Sequence, residues 1–391
     1  MKKSLLALAA GTFALGIAEF LMMGIIGKLA QDMDISITRA GHLISAYASG
    51  VCFGAVFLLF MRKYSLTHLM LLFAAVIAAG NIGAALAPDF STLMVARFIS
   101  GLPHGAYFGV GAIVARRLVE PSRQVQAVSL VIAGMTVATL CGVPLATFIT
   151  NTFSWRIAFG VVGLSGVLTF VAIRTWVPDV GKLGRVSFWG QFRFLATLPP
   201  WLIFGGVIFA QTGLYCWYSY VDPLLVNVSG FSTADLSWLM VVGGAGMLVG
   251  NLVSGKCGNY FRPAAIASTI MFLGIPVLLA IYFFSATGWV SVLLLFCGTA
   301  VLFGSGSPLQ SSIVGYSAGG EMLGAALIQI AYNAGNAIAA WVGGLAIAMT
   351  GDYRLPTLAG IPLVALGGIL ILILYFRNER RSGVTHPRHT R

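Results

Sequence analysis

Three ionisable side chains stand inside apolar runs. Glu19 lies in ALGIAEFLMMGII, and Arg97 and His104 lie in LMVARFISGLPHG. An arginine at the centre of a bilayer helix costs about 2.5–3.5 kcal/mol even on the forgiving insertion scale. Such a residue persists where it faces protein or water and finds a partner. At helical spacing Arg97, Gly101, His104 and Phe108 share one face, and that face is expected to line a pathway. Glu19 is the only acid deep within an apolar run. A carboxylate held between a desolvating surround and a nearby arginine can load and release a proton as its exposure changes. A structural buried ion pair would use the same two residues.

The helix rise sets their expected depths. Glu19 is expected about eight residues from the end of its span, roughly 12 Å, and Arg97 about six, roughly 9 Å. Glu19 and Arg97 are therefore the expected pair. His104, after Pro103, is expected near mid-depth, either as a packing residue or as a substrate or proton-relay residue. Two polar stripes follow. Gln211, Tyr215, Tyr218 and Asp222 recur at i, i+4, i+7 and i+11, and Gln329, Asn333 and Asn336 at i, i+4 and i+7. Amides and phenols at this spacing either bind a polar ligand or hold helices together. Asp222, beside Pro223 near the end of its segment, reads as a gating or interfacial acid and as a secondary candidate for proton coupling. Gly134, Ala138, Gly142 and Pro144 form a small-residue face, suited to close static packing or to a sliding contact between halves.

The elements that must position these residues are apolar helices. Of 391 residues, 58% are hydrophobic and 9% charged, against about 25% charged in a soluble chain. Mean hydropathy is +0.93. The net charge of +12 lies in short clusters between apolar runs, which argues against nucleic-acid binding. The five cysteines are widely spaced and read as small apolar residues. The start MKKSLLALAAG resembles a cleaved leader, but the apolar run continues to about Gly27, so it is expected to stay as the first span.

Segments of ~20 apolar residues occur at 5–27, 38–60, 68–87, 91–115, 125–150, 155–176, 199–226, 234–255, 264–284, 289–315, 322–349 and 356–376. The expected fold class is an all-α polytopic membrane protein of twelve transmembrane helices in two six-helix bundles. The bundles are 1–176 and 199–376, with a cytoplasmic linker 177–198 and a cytoplasmic tail 377–391. With the N-terminus inside, 18 of the 23 Lys and Arg residues fall in inner segments and only Lys28, Arg39, Arg156 and Arg354 in outer ones. That bias puts both termini in the cytoplasm. The halves echo each other: Gly50 and Gly54 match Gly246 and Gly250 at an offset of 196, and FSWR before Ile157 resembles GDYR before Leu355 at 198. Two such sixes imply a repeat about an axis along the membrane normal.

No phosphate loop, metal-ligand cluster or hydrolase constellation is present, so no cofactor, no metal and no enzyme activity are expected.

On these residues the chain resembles the major facilitator superfamily, most of all its drug:proton antiporter and sugar-efflux branch, including arabinose-efflux-type permeases. GTFALGIAEFLMMGIIGKLAQDMDIS and AGHLISAYASG are similar to that branch's first two helices. Leu93-x3-Arg97-x3-Gly101 resembles its fourth-helix motif, whose arginine is linked to proton coupling. Gly134-x7-Gly142-Val-Pro144 resembles its fifth-helix antiporter motif in a looser form, and Ser154-Trp-Arg156 fits the start of helix six. The loop MRKYSLTH departs from the pattern, with Arg62 and Ser65 where the family carries an acid and a glycine. The resemblance implies the major facilitator fold and a monomeric inner-membrane transporter whose partners are a small-molecule substrate, protons and the lipid bilayer. Export of a sugar, nucleoside-like compound or drug against protons is the leading expectation. Proton-coupled uptake and a lipid-handling membrane protein or enzyme remain as alternatives.

Overall fold

The computed structural model describes residues 2–57, 61, 64–182, 189–258 and 260–380. Arg62 and Lys63, the linker residues 183–188 with Arg185, and 381–391 with Arg381, Arg388 and Arg391 lie outside the described residues.

The described chain forms twelve helical rods. The first six are α1 (Lys2–Asp32), α2 (Ile37–Phe57), α3 (Leu66–Leu86), α4 (Phe90–Arg117), α5 (Gln126–Thr152) and α6 (Trp155–Trp176). The last six are α7 (Leu198–Asn227), α8 (Leu236–Cys257), α9 (Pro263–Phe284), α10 (Gly288–Tyr316), α11 (Glu321–Thr350) and α12 (Leu355–Leu374). Ten of these are long and apolar enough alone to cross a membrane, and α7 qualifies together with the short helix Gly190–Ala196, from which it bends by 78°. α2 carries Arg39 and His42 in its first turns and completes the set.

Two breaks have identifiable causes. Pro103 cannot donate a backbone N–H, and α4 divides there into Phe90–Gly101 and His104–Arg117. Pro144 has the same effect on α5, which takes a π turn at Ala138–Gly142. The largest departure from the expected spans is at α1, which runs five residues beyond Gly27 to Asp32. Lys28 and Asp32 end the apolar run but pair at i, i+4 across 3.0 Å, which carries the helix onward.

Packing repeats between the halves. α1 packs on α5, α2 on α4 and α3 on α6; in the second half α7 packs on α11, α8 on α10 and α9 on α12. A Cβ on Gly50 or Gly54 would run into the carbonyl oxygens of Phe98 and Leu102, and one on Gly246 or Gly250 into those of Phe296 and Ala300. The same backbone approach is thus built twice. After α6, Asp179 accepts the hydroxyl of Ser65 at the start of α3, and after α12 Glu379 accepts the N–H of Ala264 at the start of α9. Between the halves, α2 meets α11 and α8 meets α5, again a symmetric pair.

The end of the molecule away from the termini is tied across the halves by hydrogen bonds. Thr38 donates to the Gly344 carbonyl, Ser45 to Ala337 and Asn151 to Thr233. Contact continues inward to mid-depth, where Phe20 of α1 meets Phe303 of α10 at 5.6 Å between ring centroids.

Candidate functional site

Arg97 is wholly buried (0% exposed) on the first segment of α4. Its Nη1 donates to the Ala18 carbonyl of α1 at 2.7 Å and its Nε to the Leu43 carbonyl of α2 at 3.4 Å. The guanidinium lies 4.4 Å from the Tyr47 ring centroid and 5.6 Å from that of Phe159. Its Nη2 has no hydrogen-bond partner among the described residues. Two carbonyls and two aromatic faces therefore disperse the charge.

Glu19 is also buried, but its carboxylate is not within ion-pair distance of Arg97; its Oε2 lies 3.7 Å from His104 Nε2. The expected Glu19–Arg97 ion pair is absent: Arg97 reaches α1 at the neighbouring residue and spends its N–H groups on the main-chain carbonyls of Ala18 and Leu43. Because the helix ends at Asp32, Glu19 stands thirteen residues from that end, and His104 fourteen from the start of α4 at Phe90. The two match in depth, about 20 Å in, and the long Arg97 side chain, from a backbone position seven residues past Phe90, reaches the Ala18 level. Arg97 stays close to Glu19 through its bond to the adjacent Ala18 carbonyl. The other nitrogen of His104, Nδ1, is 2.8 Å from the Tyr47 hydroxyl, and the His104 ring stacks near Phe108 at 5.3 Å. The face Arg97, Gly101, His104, Phe108 thus survives the break at Pro103. Tyr47 is the member that sequence reasoning missed, because one tyrosine in an apolar helix carries no spacing signal.

The two polar stripes lie on neighbouring helices of the second half, α7 and α11. Gly335 of α11 packs against Gln211, and the Thr212 hydroxyl donates to the Gly335 carbonyl at 3.2 Å. Gln211, Tyr215, Tyr218, Asn333 and Asn336 are buried, and Gln329 is half-buried near Gly105, one residue past His104. Asn333 donates its amide N–H to the Gln329 carbonyl, leaving Oδ1 open; Oδ1 of Asn336 is open as well, among the described residues.

Asp222 stands apart. Its buried carboxylate accepts the main-chain N–H of Gly27 at 2.7 Å. Gly27 lies eight residues beyond Glu19 on α1, about 12 Å along the axis, so the two acids belong to different levels. Beside it, Tyr220 fills the gap between Gly41 and Gly344 and donates its hydroxyl to the Ala340 carbonyl at 2.5 Å. The small face of α5 packs inside its own half. Gly134 meets Ala9 and Thr12, Ala138 meets Gly16, and Gly142 meets Ile17, all on α1. α5 reaches the other half elsewhere, with Thr139 and Leu140 against Gly244 of α8. Of the two readings of this face, close packing is the one that the contacts of Gly134 and Gly142 with α1 match.

The family model of the Major Facilitator Superfamily matches residues 8–328. The "Putative transporter AraJ" of Escherichia coli (strain K12) is 38% identical over 388 residues, covering 99% of this chain and 98% of that protein. The "Inner membrane transport protein YdhP" of the same strain is 30% identical over 382 residues, covering 97% of each. Among solved structures, a bacterial homologue of the human lysosomal transporter Spinster, inward-facing and unoccupied, superposes with a TM-score of 0.71 at 15% identity, covering 95% of this chain and 94% of that one. These matches place the chain among membrane transporters rather than enzymes, and by the family model and the near-full-length relatives it belongs to the Major Facilitator Superfamily.

Proposed function

We propose that this transporter exports a small neutral polar molecule, such as a sugar or nucleoside-like compound, in exchange for protons. The observation that carries the reading is the buried cluster of Glu19, His104 and Arg97. An intramembrane acid is costly and marks a proton or ligand pathway. Here the acid lies 3.7 Å from a titratable ring, and a fixed cation holds the carbonyl of its neighbour Ala18. The open amide oxygens of Asn333 and Asn336 support a substrate that donates hydrogen bonds, and no described acid lies on that helix face to hold a strongly cationic drug. Export rather than uptake rests on the likeness of the α5 motif to antiporters.

The halves 1–176 and 199–376 would rock about the shared axis, joined by 177–198, with 377–391 as a tail. The Lys and Arg bias supports an inner-membrane protein with both termini in the cytoplasm. The tied end is then the periplasmic one. The test is transport by purified protein in vesicles with an imposed pH gradient, across sugars, nucleosides and cationic drugs. Substrate should move against the proton flux, and Glu19→Gln should lower the gradient-driven rate by at least about tenfold, within the usual range of coupling energies. Full pH-driven transport by Glu19→Gln removes the proton site from Glu19. Accumulation along the proton flux reverses the direction.

A further inference from the structure

Tyr47 touches both side chains that act on Glu19. Its hydroxyl is 2.8 Å from His104 Nδ1, its ring lies 4.4 Å beneath the Arg97 guanidinium, and it is 1% exposed. A third atom is in reach: the Leu15 carbonyl of α1, 3.4 Å from the same hydroxyl. His104 turns its other nitrogen to Glu19 at 3.7 Å, a separation that one small side-chain adjustment closes to a hydrogen bond.

We infer that Tyr47 is a positioning residue of the proton site, reporting the protonation of Glu19 to α2 through the tautomer of His104. The inference rests on the proposed proton coupling at Glu19.

The argument is one of counting protons. A phenol has one proton to give, and a neutral imidazole has one N–H and one lone pair. With Glu19 ionised, the ring N–H stands on Nε2 toward the carboxylate, and Nδ1 accepts from Tyr47. With Glu19 protonated, the carboxyl O–H donates to Nε2. The ring proton then stands on Nδ1 and donates to the Tyr47 oxygen, and the phenol proton turns to the Leu15 carbonyl. Between the two states the carboxylate gains one proton, while His104 and Tyr47 each hold the number they had. The hydroxyl exchanges a partner on α4 for one on α1.

The position of Tyr47 makes this exchange felt between the halves. α2 is the helix that meets α11, through Ser45 to Ala337 and Cys52 to Ile330, on either side of Tyr47 in sequence. The charged and titratable groups facing Glu19 are Arg97 and His104 from α4, Tyr47 from α2, and Tyr215 and Tyr218 from α7. Arg97 is held by the Ala18 and Leu43 carbonyls, which do not titrate. The α7 phenols lie in the other half. Tyr47 alone combines contact with His104 and a place on the helix that carries the change.

Tyr47→Phe keeps the ring under Arg97 and removes the hydroxyl. In vesicles, the ratio of gradient-driven transport to gradient-free substrate exchange should fall at least about fivefold, and the pH profile between about pH 5.5 and about pH 8.5 should be displaced. Infrared titration of the Glu19 carboxyl band in detergent reads the same inference without transport, and its midpoint should move in the variant. An unchanged ratio and an unchanged midpoint overturn the role of Tyr47. Glu19→Gln separates the two ideas. If that variant keeps full pH-driven transport, the coupling reading fails. If it is uncoupled while Tyr47→Phe behaves as the parent, only the Tyr47 inference fails.

Discussion

The carboxylate of Asp222 accepts the main-chain N–H of Gly27 at 2.7 Å, tying α7 of one half to α1 of the other. A hydrogen bond to a charged group contributes about 1.5–3 kcal/mol. Asp222→Ala should therefore favour separation at this end by about tenfold or more. Spin labels at Asp34 and Asp352, in the loops of the two halves at that end, report it. The distance distribution should gain a longer component, and a distribution identical to the parent's would show that the bond does not hold the seal.

Arg97→Lys should destabilise the first half. Lysine offers a compact ammonium on a flexible stem and cannot bond the Ala18 and Leu43 carbonyls while lying flat over Tyr47. The loss of one charge-assisted bond costs about 1.5–3 kcal/mol. Thermal unfolding in detergent should show a lower midpoint, and a midpoint at or above the parent's would mean that the carbonyl contacts contribute nothing net.

The repeat makes a paired prediction. Gly50→Ala and Gly246→Ala each push a methyl group into a carbonyl oxygen, of Phe98 and of Phe296. Overpacking of this kind costs about 1–3 kcal/mol. The two variants should lower the unfolding midpoint by similar amounts. A large loss from one and none from the other would mean that the two contacts are not mechanically equivalent.

Acid sensitivity can be followed at Asp89, outside the spans. Its carboxylate accepts the N–H and the hydroxyl of Thr92 at the start of α4, and these bonds hold its pKa below the usual carboxylate value. A lowered folded pKa means that its stabilisation is complete above the unfolded value of about 3.9 and fades as pH falls through the folded one. The difference in unfolding midpoint between the parent and Asp89→Ala should shrink between about pH 6 and about pH 3. A constant difference would assign the effect to helix propensity alone.

The rods were legible because a bilayer-length apolar run has few alternatives. The glycine repeat was legible too, since glycine acts through the backbone itself, whereas the expected span 91–115 is continuous and the structure divides it at Pro103. The end of α1 was not legible, because hydropathy stops at Lys28 while the helix continues through the Lys28–Asp32 pair. That error of five residues moved Glu19 toward Arg97 on paper and away from His104. Tyr47 and Tyr220 were hidden for another reason. Each acts through its hydroxyl on a group remote in sequence, His104 for one and Ala340 for the other, and neither bond leaves a local spacing signature.

In the ties across the far end, one partner of each bond belongs to the main chain: the Gly27 N–H and the carbonyls of Gly344, Ala337 and Thr233. A main-chain group has no codon. Random substitution can strike only the side-chain half of each tie, so the target for mutational loss is about half that of a latch made of paired side chains. Relatives that drift apart in composition can keep such a closure by preserving a hydroxyl, an amide or a carboxylate on one wall, while the opposite wall is free to vary in every respect except its path.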